Sequence, residues 1–253
     1  MRFVTNQPAL VHRGILVIAD LQLGIEEELR DKEGIRLASR TPELLERVKK
    51  LVRRVRPRKL ILLGDVKHSI SSPFHQEWVE VPWFIRRLQE IVPVEIVPGN
   101  HDGDLRRIVQ SVPIHPVSGV VMGDLALCHG HAWPAPELLR ARYLAMGHNH
   151  PGVRFVDSMG HAETQKAWVI GELDVEKARE KYGDVNPELK IIVMPAFNEL
   201  VASVPFNAIS SAKELLGPLF EKQLFKLDSS KLYLLNGVRL GSVATLRGEK
   251  SGF

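Results

Sequence analysis

The chain has a single cysteine among its 253 residues, so no disulfide can form within it. One unpaired thiol is typical of a protein kept in a reducing compartment, and we expect a cytoplasmic location. The sequence also lacks an apolar run of about 18 residues, which argues against a membrane-spanning helix. No apolar segment followed by a cleavage site stands at the N-terminus, so we expect no signal peptide.

Aromatic residues are scarce, at 6%, while hydrophobic residues make up 44% and charged residues 25% of the chain. These proportions are ordinary for a globular protein, and the length is sufficient for a substantial core. We find no internal repeat, low-complexity tract or linker, so the sequence predicts a single domain over residues 1–253. The net charge of +4 tolerates an anionic partner without identifying one.

Strand and helix signals alternate in the first half of the chain. Three short apolar runs predict buried strands at Ile15–Ala19, Lys59–Leu63 and Val94–Val97. Thr41, followed by Pro42, is expected to cap a helix that ends near Val55. A second helix is expected over residues 78–88, interrupted by Pro82.

Hairpin signals dominate the second half of the chain. Gly123-Asp124 separates apolar segments at 117–122 and 125–128, and Asn236-Gly237 separates 231–235 from 238–246. Strand–helix–strand units followed by hairpins predict an α/β fold with two packed mixed β-sheets flanked by helices. In open sheets of this kind, ligands bind at the carboxyl ends of the strands.

Five short polar motifs follow apolar runs, and together they supply the ligand types that suit a pair of divalent metals. In chain order they are Asp20-Leu21-Gln22, Gly64-Asp65-Val66-Lys67-His68, Gly99-Asn100-His101-Asp102, His129-Gly130-His131 and Gly147-His148-Asn149-His150. Six of the ten histidines fall inside them, which concentrates imidazoles at one expected site. A lone aspartate at a strand end is usually a turn residue, but the ordered set of five favours a metal centre.

The motifs resemble the signature of the calcineurin-like metallophosphoesterases: D-x-H, G-D-x-x-H, G-N-H-[DE], a histidine before glycine, and G-H-x-H. Four of the five are intact, and Gln22 stands where the family has the histidine of the first motif. The opening segment 19–24, the short chain and residues 194–198 are similar to small archaeal SbcD-related phosphoesterases. The resemblance implies the four-layer sandwich of the family, in which helices cover two packed sheets.

The same resemblance implies two divalent cations held by a shared set of ligands. The implied ligands are Asp65 as the bridge, Asp20, Gln22 and His150 in the first site, and Asn100, His129 and His148 in the second. Mixed oxygen and imidazole ligands suit manganese (Mn2+), with iron, zinc, nickel and magnesium as alternatives. A hydroxide bridging the metals would be the nucleophile, since metal-bound water has a pKa lowered toward neutrality.

Catalytic roles are implied for three further residues. His101 would protonate the leaving oxygen or stabilise the transition state, and Asp102 could orient the His101 ring. His68 resembles the phosphate-side histidine of the family. For His131, a ligand role and a supporting role both stay open, whereas Cys128 is expected to be a buried structural thiol.

Residues 47–59 carry eight basic side chains, for which two interpretations compete. They could form a nucleic-acid track. Alternatively, they are the solvated face of a helix whose apolar stripe is Leu44, Leu45, Val48, Leu51, Val52 and Val55. The second interpretation is favoured because the cluster precedes a strand whose far end carries the site, roughly 17–20 Å away.

The expected activity is hydrolysis of a phosphodiester or a phosphomonoester, with DNA, RNA or a nucleotide as substrate classes and no membrane partner. Resemblance to SbcD-type nucleases favours nucleic acid. Those nucleases carry an additional DNA-binding domain, however, and the chain after the last motif leaves little room for one. The alternative of a different class is a non-catalytic metal-binding scaffold, which Gln22 favours and the retention of His101 opposes.

Overall fold

The computed structural model describes residues 1–34, 37–70 and 73–248. Within these ranges the first sheet has five strands, which adjoin one another in chain order. They are β1 (Arg2–Phe3), β2 (Ala9–His12), β3 (Ile15–Ala19), β4 (Lys59–Leu63) and β5 (Val94–Val97). Strands β3, β4 and β5 run parallel to one another, whereas β1 and β2 join the sheet in antiparallel pairs.

The second sheet has nine strands within the described ranges. They are β6 (Val120–Met122), β7 (Leu125–Leu127), β8 (Tyr143–Met146), β9 (Pro151–Val156), β10 (Ala162–Glu172), β11 (Lys190–Val193), β12 (Val204–Pro205), β13 (Lys231–Leu234) and β14 (Arg239–Ser242). The long strand β10 pairs with β9 through its first half and with β11 and β13 through its second half. Strands β7, β8 and β11 are parallel neighbours, so this sheet is also mixed.

Helices accompany each sheet. Those in the first half are α1 (Ile25–Glu33), α2 (Thr41–Val55), α3 (His75–Gln89) and α4 (Leu105–Ile108). Those in the second half are α5 (Val175–Tyr182), α6 (Pro218–Glu221) and α7 (Val243–Gly248), with 3-10 turns at Pro136–Arg140 and Ala212–Glu214. No helix in the described ranges has the length and apolar character that crossing a bilayer requires.

Three apolar clusters place these elements in four layers. The central cluster lies between the sheets and combines residues such as Val17 and Leu63 of the first with Ala145 and Ile192 of the second. A second cluster packs α2, α3 and α4 on the outer face of the first sheet. A third covers the outer face of the second sheet with α5 and the turns near the C-terminus. The expected α/β fold, two packed mixed sheets flanked by helices, is therefore confirmed.

Helix α3 differs from the sequence prediction, because Pro82 does not interrupt it. Proline lacks an N–H and removes one helical hydrogen bond, but the apolar side of the helix remains continuous. Its buried residues include Val81, Phe84, Ile85 and Leu88, which pack in the cluster outside the first sheet. Tertiary burial thus outweighs the local cost of the proline.

Two further local predictions were wrong. Thr41 is the first residue of α2 rather than its cap, and its buried hydroxyl has no hydrogen-bond partner. The last hairpin is shorter than expected, since β14 ends at Ser242 and α7 follows directly. The Ser242 hydroxyl accepts a hydrogen bond from the backbone N–H of Thr245 at 3.1 Å, which stabilises the start of that helix.

Candidate metal centre

The five polar motifs meet because of strand direction. The first three follow β3, β4 and β5, whose carboxyl ends lie at one edge of the first sheet. The fourth and fifth follow β7 and β8, which are parallel neighbours in the second sheet. The central apolar cluster holds the two sheets face to face, so all five strand ends converge. The site therefore combines ligands from both sheets, as the position of each motif predicted.

Two groups of carboxylate and imidazole side chains have ligand atoms within 4.8 Å of one another. The first group is Asp20, Asp65 and His150, and the second group is Asp65, His129 and His148. Asp65 belongs to both, which is the position that a residue bridging two cations requires. It is nearly inaccessible to solvent, with 1% of its surface exposed.

Buried polar atoms without hydrogen-bond partners collect at these two groups. They are Oδ2 of Asp20, Oδ1 of Asn100, Nε2 of His129 and Nε2 of His150. Buried polar atoms are normally satisfied, because leaving one unpaired costs about 1–3 kcal/mol. Carboxylate, amide and imidazole groups are the ligand types that divalent cations accept. The residues present therefore fit a metal centre.

Backbone strain is concentrated at the same place. Of the nine described non-glycine residues with positive φ, five lie in the motifs: Asp20, Gln22, Asp65, His148 and His150, with φ between 42° and 70°. L-residues rarely adopt this left-handed conformation, and its cost persists only where the surrounding structure imposes it. The residues with this conformation therefore coincide with the candidate site.

Two glycines allow the carboxylates to sit where they do. A Cβ atom at Gly99 would lie 2.1 Å from Oδ1 of Asp65, and one at Gly147 would lie 2.6 Å from Oδ2 of Asp20. Any side chain at either position would displace a candidate ligand. The close approach of a carboxylate to each backbone therefore explains why glycine stands in the third and fifth motifs.

His129 is fully buried, and its contacts determine which nitrogen faces the site. Nδ1 lies 3.2 Å from the carbonyl oxygen of Leu63, whereas Nε2 lies 3.3 Å from Oδ1 of Asp65. Burial alone would lower the pKa of His129, but the carboxylates, first Asp65 and then Asp20, outweigh burial and raise the pKa to about 9. A cation bound at Nε2 must displace that proton, which makes metal affinity dependent on pH.

His148 of the second group and the neighbouring His131 are both held neutral. Burial, followed by repulsion from His129, lowers the pKa of both His148 and His131 to about 4. The His131 ring lies 5.4 Å from the His129 ring and 6.1 Å from the His148 ring, and its buried Nδ1 has no partner. His131 thus flanks the second group, and both interpretations of its role stay predictions.

Gln22 does not present its oxygen to the first group. Its Nε2 donates to Oδ2 of Asp65 at 2.9 Å, and its Oε1 lies 2.7 Å from Nδ1 of His68. The amide is 97% buried between these partners, so both of its polar ends are engaged. The ligand role expected for Gln22 stays a prediction; in this structure Gln22 joins the carboxylate of Asp65 to the His68 ring.

The roles expected for His68 and Asp102 stay predictions, and in this structure both side chains have other partners. Both ring nitrogens of His68 contact other side chains, Gln22 on one side and Glu28 on the other, so neither points freely toward a phosphate. Asp102 does not contact the His101 ring. Its carboxylate accepts hydrogen bonds from the backbone N–H groups of Val66, Lys67 and Gly99, so it fixes the second motif against the third. Burial, followed by the Asp65 charge, raises the pKa of Asp102 to about 6.

The His101 ring lies beside Asp65, and its acid role stays a prediction. Its Nδ1 contacts the carbonyl oxygen of His68, and its backbone N–H donates to Oδ1 of Asp65 at 3.1 Å. Nε2 remains 3.8 Å from Oδ2 of Asp65, and 17% of the side chain is exposed. The ring is thus held at the opening of the site.

Several supporting residues had no distinctive sequence signal. Glu77 is fully buried on α3, and its carboxylate accepts from the backbone N–H groups of His68 and Ser69. Asn198 donates to the carbonyl oxygen of Leu21 at 2.9 Å and so holds the first motif. An acid on a helix or an amide in a loop is common on any surface, so only tertiary contacts identify these residues. In the sequence, residues 194–198 carry no signal beyond their resemblance to SbcD-related phosphoesterases.

The basic cluster of α2 lies largely on the solvent side of the helix, whose buried face is the predicted apolar stripe without Val55. Arg47 departs from that pattern, because its guanidinium donates to the carbonyl oxygen of Phe197 at 3.1 Å. It also pairs with Glu199 at 3.0 Å. Arg47 is therefore engaged by the protein itself. The other basic residues lie mostly on the exposed side of the helix, which favours the solvated-face interpretation.

The chain is similar to known proteins in its sequence profile and in its fold. The family profile described as calcineurin-like phosphoesterase matches residues 14–194. Among solved structures, a nuclease MPE of Pseudomonas putida superposes with a TM-score of 0.54 at 20% identity, covering 90% of this chain and 88% of that one. YfcE, a phosphoesterase from E. coli, superposes with a TM-score of 0.42 at 18% identity over 91% and 98% of the two chains. Curated proteins gave no match.

The nuclease MPE comparison shows a shared fold, and the family profile spans the whole set of motifs. The profile begins just before β3 and ends just after β11, so it includes every strand whose carboxyl end supplies a candidate ligand. The chain therefore belongs to the calcineurin-like phosphoesterase family.

Proposed function

We propose that the chain is a phosphodiesterase that uses two divalent cations and acts on nucleic acid. The observation that carries the proposal is the position of Asp65, whose carboxylate is shared by two groups of ligand atoms. The unpaired atoms of Asp20, Asn100, His129 and His150 support the same conclusion. When bound, divalent cations supply positive charge that neutralises phosphoryl oxygens and activates water.

The side chains of the protein hold and orient the reacting groups. Asp65 and Asp20 place negative charge on the floor of the site, and His148 and His129 close one side of it. His101 stands at the opening, where its Nε2 can meet the oxygen that leaves phosphorus. As the oxygen of water bonds to phosphorus, the water loses a proton to solvent; the ester bond breaks, and the leaving oxygen takes a proton from Nε2 of His101. The carbonyl oxygen of His68 holds Nδ1 of the His101 ring, which leaves Nε2 as the nitrogen at the opening.

Nucleic acid is the preferred substrate class because two likenesses point the same way. The fold is similar to that of a nuclease, and the first motif with residues 194–198 is similar to SbcD-related phosphoesterases. The net charge of +4 is compatible with a polyanionic substrate. Nucleotide diesters and phosphomonoesters are the alternatives within the same chemistry, and manganese is the cation we expect to support it best.

A non-catalytic metal-binding scaffold is the second candidate function. The contacts of Gln22 favour it, because an amide bound to Asp65 and His68 leaves the first group with fewer ligands than the family pattern has. The position of His101 opposes it, since binding a metal does not require an acid at the opening of the site.

An activity screen of reconstituted protein separates these candidates. Protein stripped by a chelator should be inactive and should recover with manganese on DNA and RNA of defined ends, and less well on p-nitrophenyl phosphate. The Asp65→Ala variant should lose this activity, whereas Asp157→Ala, on the exposed β9–β10 turn, should retain it. Turnover of small nucleotide diesters without turnover of nucleic acid would refute the substrate class. No turnover with any divalent metal would make the scaffold the leading function.

A further inference from the structure

One side chain outside the five motifs is connected to the centre of the site. Glu28 lies on α1, and its Oε2 contacts Nε2 of His68. On the other side of the same ring, Nδ1 donates to Oε1 of Gln22 at 2.7 Å, and Nε2 of Gln22 donates to Oδ2 of Asp65 at 2.9 Å. The four side chains form an unbroken line from a helix surface to the shared carboxylate.

Burial increases along this line toward the site. The side chain of Glu28 is 33% exposed and that of His68 is 13% exposed, whereas Gln22 and Asp65 are almost fully buried. Once Glu28 and Gln22 both contact the His68 ring, the ring cannot turn without breaking one of the contacts. The ring in turn fixes the Gln22 amide, because the amide oxygen has no second partner among the described contacts.

The backbone of His68 extends the connection to the proposed leaving-group acid. Its N–H donates to the carbonyl oxygen of Leu23 at 3.0 Å and to Oε1 of Glu77 at 2.8 Å. Its carbonyl oxygen accepts from Nδ1 of His101. His68 therefore orients two groups. Its ring acts on the Asp65 carboxylate through Gln22, and its carbonyl oxygen holds the His101 ring.

We propose that Glu28 is a positioning residue that acts through His68. It holds the His68 ring so that the Gln22 amide stays on Asp65 and the His101 ring stays at the opening of the site. This role rests on the proposed phosphoester hydrolysis for its catalytic consequence, but the connection from Glu28 to His101 is a property of the protein alone. Supporting contacts of this kind are typically worth 10- to 100-fold in activity or metal affinity.

The connection is tested first without metal or substrate. The imidazole signals of His68 and His101, assigned with His68→Ala and His101→Ala protein, are followed in nitrogen-15 NMR spectra of the chelated protein. Glu28→Ala should move the signals of both rings. The matched control is Glu27→Ala, one residue away on α1, where the native side chain pairs with Arg30 at 3.8 Å. It should leave both rings unchanged. Equal spectra for Glu28→Ala and the wild type would overturn the proposal even if the enzyme is active.

The catalytic consequence is then tested on diesters with good and poor leaving groups. Glu28→Ala should lower kcat about 10-fold on a poor leaving group, less on nitrophenolate, and change KM little. Glu28→Gln, which keeps an oxygen to accept from His68, should restore most of the loss. In a His68→Ala background, Glu28→Ala should add almost nothing, since the two effects share one route. Fully additive losses would show that Glu28 acts elsewhere. If the wild type has no activity but the ring signals move as expected, the proposed function fails while the connection stands.

Discussion

Gln22 is the residue at which the chain departs from the motif pattern of its family, and its contacts show what an amide does at this position. An amide can donate and accept at once, so Gln22 can bridge Asp65 and His68 in a way that a single metal-bound imidazole nitrogen cannot. The same two contacts remove its oxygen from the first group. We therefore expect the first metal site to be the weaker of the two, because three residues then provide what the family pattern assigns to four.

The first prediction concerns the number of ions. Wild-type protein purified without added metal should hold about one ion, at the group of Asp65, His129 and His148. Gln22→His should add a ligand to the first group, raise the content toward two, and lower the metal concentration needed for activity. Elemental analysis and titration calorimetry measure both effects.

Gln22→Leu is the matched control for that change. It removes the contacts to Asp65 and His68 without adding an imidazole, so it should not raise the metal content. If wild-type protein binds two ions with equal affinity, and Gln22→His leaves that unchanged, the first site does not depend on position 22.

The second prediction concerns His101. Replacement by alanine should lower turnover about 10²- to 10⁴-fold on an ester with a poor leaving group, the usual size of a general-acid contribution. Metal content should hardly change, because His101 is in neither ligand group. Kinetics combined with elemental analysis test this, and loss of metal in the variant would mean that His101 is a ligand instead.

Among the secondary-structure elements, the segment after β11 has a role that its length does not suggest. The backbone N–H of Phe197 donates to the carbonyl oxygen of Ala19 at 2.8 Å, and Asn198 holds Leu21. Lys166, on β10, donates to the carbonyl oxygens of Ala196 at 2.7 Å and Asn198 at 2.5 Å. One strand of the second sheet therefore fixes the segment that supports the first motif of the first sheet.

The third prediction follows from the lowered pKa of the Lys166 side chain. Burial, followed by repulsion from Arg47, lowers the pKa of Lys166 from 10.5 to about 8. Between these values the unfolded chain binds a proton that the folded protein has released, so this residue makes stability rise with pH from about 8 to 10.5. The unfolding free energy of the wild type minus that of Lys166→Met should increase by roughly 3 kcal/mol at most over that range.

Chemical denaturation at several pH values measures that difference. Lys213→Met is a suitable control, because Lys213 is an exposed lysine on a 3-10 turn. A wild-type-minus-variant difference that stays flat, or falls, as the pH rises would contradict the third prediction.

For the whole molecule, the decisive feature is that the site spans both sheets. Asp20 and Asp65 come from the first sheet, whereas His129, His148 and His150 come from the second. A cation bound by ligands from both sheets therefore links them, and it binds the folded state only. By mass action, a metal at 100 times its dissociation constant adds about 2.7 kcal/mol of stability.

The fourth prediction is that metal stabilises the whole fold. Manganese should raise Tm, and it should slow labelling of Cys128 by a thiol reagent. Cys128 is 1% exposed, and burial raises its pKa to about 12, so the native thiol should react only when the core opens. Asp65→Ala protein should show neither effect of the metal. Rapid labelling of the folded protein would contradict the assigned burial of this cysteine.

The motifs by themselves determined the family, the location of the site and most of its candidate ligands. This was possible because the end of a strand is a local feature of the sequence. The apolar runs that lead to Asp20, Asp65 and Asn100 mark where each strand ends and a polar side chain follows. Parallel pairing then brings neighbouring ends together, so order along the chain implied nearness in space. The helix over Thr41–Val55 was predicted for the same reason, since its periodic apolar face is local.

Tertiary structure alone decided what each polar side chain touches. Sequence spacing could not place Glu28 beside His68, because α1 and the second motif meet only after the sheet forms. Nor could it show that Asp102 binds backbone N–H groups, or that α3 continues through Pro82. Residue types along the chain limit the chemistry that is available, whereas hydrogen bonds between distant segments depend on packing. The hydrogen bonds of Gln22 to Asp65 and His68 join distant segments of this kind. Only the tertiary structure therefore shows what Gln22 does in place of the histidine of the family motif.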